Sequence, residues 1–178
     1  MKTFHRFLIA CAALAFAGAV VAEEAIQPGK MSDPELLART RQLTQEAFEL
    51  SKVAVQKGGS GKVQQLARRE VESGEIYDKR LTDLAAEAGV TQPEKISRPM
   101  QERLTAIEKM SGDAFDADYL SMLLDLHREH ILVLEEFTKR TVNAKLRDYV
   151  ADALAFERTQ LRAIQALAAP EIPSGTPN

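Results

Sequence analysis

Four stretches of the chain, each about 25 to 28 residues long, place apolar residues at the three- and four-residue steps of a helix, and none alternates apolar with polar residues as a strand does. A helix of that length spans ~40 Å at 1.5 Å per residue. Four helices of matched length can bury their apolar stripes against one another, which predicts an all-α four-helix bundle.

The breaks between helices define the path. Ser32-Asp33-Pro34-Glu35 combines an N-cap serine, an early proline and a capping-box glutamate. The first helix follows, to about Lys57, with Leu36, Leu43, Ala47, Leu50 and Ala54 on one face. Gly58-Gly59-Ser60-Gly61 breaks the chain. A second helix from Lys62 to Ala88 turns Val63, Ala67, Tyr77, Leu81, Leu84 and Ala88 inward, and Gly89 ends it. Thr91 to Pro99 reads as irregular, and a short helix runs from about Met100 to Met110 before Ser111-Gly112-Asp113 restarts the chain. The third long helix, Ala114 to about Arg140, carries a wide apolar face that includes Tyr119, Leu123, Leu126 and Leu134. Asn143 is placed to cap the fourth, which runs to Ala168 until Pro170 stops it.

Short breaks make antiparallel hairpins of the first and second helices and of the third and fourth. About 25 residues separate the second from the third, and even with a short helix inside, such a connection reaches ~60 Å. That is enough to cross the whole bundle. The lengths favour a ferritin-like bundle with an additional short helix in the long connection, while an up-down bundle with a folded excursion stays open.

The amino terminus has the pattern of a secretory signal. Lys2 and Arg6 precede an uncharged run from Phe7 to Val21, and Val20-Val21-Ala22 sets small residues before Glu23-Glu24. The expected division is a signal peptide over 1–22, a linker over 23–31, the helical domain over 32–169 and a disordered tail over 170–178, with a periplasmic location. The apolar run is shorter than the ~20 residues a spanning helix needs, so no transmembrane anchor is expected after cleavage. Leu8-Ile9-Ala10-Cys11 has the look of a lipoprotein box, but the apolar run continues well past Cys11, which argues against a lipid tether there.

Cys11 is the only cysteine, so the processed chain has no thiol for catalysis, for a disulfide or for a metal. Without Lys2 and Arg6, acidic residues outnumber basic ones further, and the two signs are interspersed. That pattern speaks against nucleic acid or an anionic lipid surface as partner.

The helix midpoints fall near Gln45, Gly74, His127 and Phe156, in one layer where a metal site would sit. Carboxylate-bridged di-iron bundles place glutamates on two helices and Glu-x-x-His on the other two. The candidates for such a site are Glu46 or Glu49, Glu70, His127, His130 and Glu157, which could take iron, manganese or zinc. His127 and His130 share a helical face, and Glu157 with Gln160 repeats their spacing, yet no Glu-x-x-His occurs after the signal. The alternative roles are structural: His127 a core histidine bonded to Glu157, His130 solvated at the bundle boundary. Glu70 and Glu157 fall on inward positions, where a carboxylate without a partner is costly. Gly74 costs ~1 kcal/mol against alanine inside a helix; close packing against a bulky residue such as Tyr119 would explain it, and so would a pocket. Tyr77, Tyr119 and Tyr149 lie on apolar faces. The glycine-rich turn lacks phosphate-loop spacing, and no nucleophile motif is present.

From Lys52 to about Ala168 the chain resembles the exported bacterial family of domain of unknown function 4142. The resemblance rests on Phe115-Asp116-x-x-Tyr119-Leu120 followed by His127, on Gly89-Val90 then Pro93, and on Leu81-x-x-Leu84-Ala85. It implies a ferritin-like fold and a periplasmic or outer-membrane setting. The family's Asp-His on the second helix corresponds to Ser73-Gly74, and its last histidine to Gln160, so only His127 carries over as a site residue. The resulting expectation is a non-catalytic periplasmic bundle in a binding or envelope-stress accessory role, with another protein or a second copy as partner and no cofactor. The alternative is a metal-binding or redox bundle with a degenerate site at His127, Glu157, Glu70 and Glu46.

Overall fold

The computed structural model describes residues 31–90 and 96–169; the expected signal peptide with its cleavage point, Cys11 and the expected tail over 170–178 lie outside them. The described residues form five helices: α1 Asp33–Lys57, α2 Gly61–Glu87, α3 Arg98–Ile107, α4 Gly112–Arg140 and α5 Ala144–Ala168. Among the described residues there is no strand, only an isolated bridge between Gly58 and Gly112. No helix among them is long and apolar enough to cross a membrane.

The helix starts follow from side chains that satisfy first-turn N–H groups. Glu35 Oε2 accepts from Ser32 N at 2.7 Å, and Asn143 Oδ1 accepts from Lys145 N at 3.0 Å and Leu146 N at 3.3 Å. Ser97 Oγ accepts from Met100 N at 3.3 Å, with Pro99 in the first turn, so α3 begins two residues before the expected Met100.

Ties between helices fix the direction of each. Along α1, Arg39 pairs with Glu129 of α4 and Ser51 Oγ lies 3.1 Å from Tyr119 Oη, so α1 and α4 are antiparallel. Along α2, Glu70, Arg80 and Glu87 meet Gln160, Asp152 and Lys145 of α5, again antiparallel. Arg41 to Asp78, at 3.0 Å, sets α1 against α2 in the same way. Hence α1 and α5 run one way while α2 and α4 run the other. The connection from α2 to α4 starts at one end of the bundle and finishes at the opposite end, which excludes the up-down alternative. Glu46 Oε1 accepts from Ser97 N at 3.0 Å and fastens this crossover to α1 partway along; α3 then buries Met100 and Ile107.

Most of the expected inward positions are buried, among them Leu36, Leu43, Leu50, Val63, Leu81, Leu123, Leu134 and Ile164. At the end of α2 the helix presents Ala85 to the core, and Ala88 is exposed at the last turn.

Asp116, in the Phe-Asp segment at the start of α4, explains how the two hairpins meet. Its carboxylate accepts from Gly59 N at 2.7 Å and from Ser60 N at 2.8 Å. The backbones touch there: a Cβ on Gly59 would lie 2.7 Å from Gly112 Cα, and Gly112 itself has φ +60°. Asp116→Ala should lower unfolding free energy by about 2–3 kcal/mol, the worth of charge-assisted bonds whose donors are left unpaired. Denaturant unfolding measures it; a loss within ~0.5 kcal/mol, the usual range for a surface change, would show the turn is held by other means.

Candidate functional site

Glu70 of α2, His127 and His130 of α4, and Glu157 and Gln160 of α5 meet at mid-bundle, each 8% exposed or less. His127 and His130 sit almost one turn apart, which turns both rings toward α5. Glu157 receives both: its Oε2 lies 2.5 Å from His127 Nδ1 and its Oε1 3.0 Å from His130 Nδ1. Glu70 Oε1 accepts from Gln160 Nε2 at 2.7 Å, which leaves Oε2 facing His127 Nε2 at 3.4 Å, an ion-pair distance without hydrogen-bond geometry.

The charges follow from this arrangement. Burial works against a charge on His127, but the bond and charge of Glu157, then those of Glu70, outweigh it and hold its pKa at about 10. Burial likewise opposes the Glu157 carboxylate, and the positive field of His130 with the His127 bond and charge overcomes it, keeping this carboxyl well below its usual range. At neutral pH the cluster therefore holds an imidazolium against the carboxylate of Glu157.

Two polar atoms of the cluster lack a hydrogen-bond partner: Nε2 of His127 and Nε2 of His130. Both rings line a cavity of about 20 Å³, room for one water-sized body, together with Glu70, Gly74, Tyr77 and Glu157. Tyr149, whose hydroxyl is also buried without a partner, packs edge-on to Tyr77 at 6.2 Å. Burial first, then the Glu157 charge, raises the Tyr149 phenol far above its ordinary value, so it stays a neutral donor.

Of the four metal candidates, Glu70, His127 and Glu157 come together. Glu46 does not: its Oε1 is taken by Ser97 N and by Gln42 Nε2 at 3.2 Å, so this buried carboxylate serves the crossover. Two expectations need correction. His130 is not a solvated boundary residue but 5% exposed and paired with Glu157. Its three-residue spacing from His127 was the available signal, since it sets both rings on neighbouring parts of one helical face. Gly74 packs against Phe48, not Tyr119, because α1 rather than α4 borders it. Tyr119 instead reaches Ser51, away from the other tyrosines. Among the described residues, no three His, Cys, Asp or Glu side chains already surround one point as metal ligands. The ring Nδ1 protons tie the histidines to Glu157 instead.

The profile of the family described as Domain of unknown function (DUF4142) matches residues 19–167, and the chain belongs to that family. No curated protein matches it significantly. Among solved structures, "CopM in the Cu(I)-bound form" is 13% identical, with a TM-score of 0.66, covering 78% of this chain and 96% of that one. "CopM in the Cu(II)-bound form" aligns over the same shares at 13% identity and a TM-score of 0.65. A DUF305 fragment from Deinococcus radiodurans is 10% identical with a TM-score of 0.68, covering 76% of this chain and 93% of that one. At these identities the likeness establishes a shared helical fold.

Proposed function

We propose that this chain is a non-catalytic, periplasmic bundle of the ferritin-like class that binds one divalent transition-metal ion at its middle. The observation that carries the reading is the pair of buried Nε2 atoms, on His127 and His130, without partners beside a cavity of ion size. Histidines that ligate metals typically donate their other ring N–H to a carboxylate, which fixes the tautomer. Glu157 takes such a bond from His127 and lies 3.0 Å from Nδ1 of His130. His127 Nε2, after losing its proton to solvent as the ion enters, His130 Nε2 and the Glu70 carboxylate would then hold the ion, while Glu157 and Gln160 orient them.

Two imidazoles and a carboxylate suit copper(II), zinc or iron(II), and the absence of sulfur from the cavity lining disfavours copper(I). The ion would supply concentrated positive charge where the carboxylates outweigh the imidazolium. The copper-bound forms of CopM lend the metal reading support, as does the crossover for the ferritin-like class. Large apolar side chains left exposed among the described residues are Ile76, Leu132 and Val142, on separate elements, and single exposed residues of this kind need no partner.

Titration of the protein beginning at Glu23 with copper(II), zinc, iron(II) and manganese tests the proposal. Stoichiometric binding is expected, abolished in His127→Ala and in His130→Ala, and weakened by roughly 10–100-fold in Glu157→Gln, the usual cost of an outer-shell partner. If wild type binds none of these ions, the cluster is structural and the reading falls.

A further inference from the structure

The walls of the mid-bundle cavity are unevenly covered. Leu126, His127 and His130 on the α4 side are buried, as are Leu43, Thr44 and Glu70, whereas Ala47 and Phe48 of α1, Gly74 and Tyr77 of α2 and Phe156 of α5 are half-buried, so the exposed rim runs over α2 from Phe48 on one side to Phe156 on the other. Gly74 is what keeps that rim low. A Cβ there would come within 3.1 Å of Phe48 Cδ2 and 3.3 Å of Phe48 Cβ, so the ring lies directly against the glycine backbone. This contact explains why a residue that weakens an exposed helix stands in the middle of α2.

The two rings flanking the notch are held differently. Tyr77 packs on Phe156 at 4.8 Å and Tyr149 at 6.2 Å, with the Arg80 guanidinium 5.9 Å from its ring. Phe48 lies between Gly74, which has no side chain, and the exposed Lys52, whose ammonium is 5.1 Å from the ring centre. Turning Tyr77 would disturb core aromatics, but turning Phe48 displaces a surface lysine.

We propose that the Gly74 notch is the route by which water and a single small cation reach the His127–Glu157 cluster, and that the Phe48 ring closes it. For the cation, this rests on the metal-binding reading; for water it does not. The cavity admits one water-sized body at a time, so the route excludes organic ligands by size.

A closing ring changes how fast an ion enters and leaves by the same factor, and so leaves the equilibrium untouched. Stopped-flow uptake of zinc, and its release to a chelator, should both accelerate by roughly tenfold in Phe48→Ala, with a smaller gain in Phe48→Leu and an unchanged Kd. Unchanged rates in both variants, with binding intact, overturn the route. Should wild type bind no ion, the metal reading fails and the route is judged on water alone, by solvent exchange of the His127 Nδ1 proton followed by nuclear magnetic resonance. Faster exchange in Phe48→Ala with unchanged amide exchange along α1 upholds the route. Ring-proton exchange that does not change, or that rises only in step with the α1 amides, overturns it, since general opening of the bundle would then be the path.

Discussion

Glu157→Ala should lower the unfolding free energy by about 3–5 kcal/mol, the range for breaking a buried ion pair by removing one partner. Both oxygens of this carboxylate are engaged, at 2.5 Å by His127 and 3.0 Å by His130, and all three side chains are buried. Truncation leaves two ring N–H groups unpaired and puts the whole balance of the imidazolium on Glu70. The loss exceeds that of a rim pair of the same charges: Arg80 and Asp152, both exposed, contribute ~0–1 kcal/mol. Denaturant unfolding of Glu157→Ala beside Asp152→Ala tests the contrast. Equal small losses in the two variants would mean that water enters the cluster freely and that its pairing stabilises nothing. Glu157→Gln should fall between them, because the amide keeps one acceptor for one ring and sets its own N–H₂ against the other.

Much of this fold was legible because helical period and breakers are local signals. Ser32, Asn143 and the glycine turn marked helix ends within a residue or two, and the count of residues between α2 and α4 pointed to the crossover that the ties along α1 and α2 establish. The candidate site was half legible. Placing Glu70, His127 and Glu157 in one layer needed only helix lengths, since midpoints of matched helices share a height. What the sequence withheld was rotation about each helix axis, which no local signal sets. A turn of α1 decides whether Glu46 faces the middle or the crossover, and it faces Ser97. The neighbour of Gly74 depended on the same rotation and proved to be Phe48. The resemblance had put family histidines at Gly74 and Gln160. Those two positions border the same cluster, one lining its cavity and the other bonded to Glu70.

The His127 pairing should also give the protein an alkaline stability limb. Its folded pKa of about 10 lies above the ordinary 6.5, so the folded state holds a proton that the unfolded chain releases between those values. The associated stabilisation is complete below pH 6.5 and is lost as pH rises toward 10, with an amplitude on the order of a few kcal/mol. Glu157 gives the acid limb with the opposite sign. Its pKa is depressed, so its contribution is complete above the ordinary 4.5 and disappears as pH falls below it. The two limbs report one ion pair from its two ends and are not summed. Unfolding in chelator, which keeps metal out of the balance, should show greatest stability between about pH 4.5 and 6.5 and a decline above. His127→Gln should be less stable at pH 6 yet nearly flat from there to pH 9, because it has no proton to lose. If wild type and His127→Gln decline in parallel over that span, the His127 imidazole is neutral in the fold and its pairing with Glu157 is no ion pair.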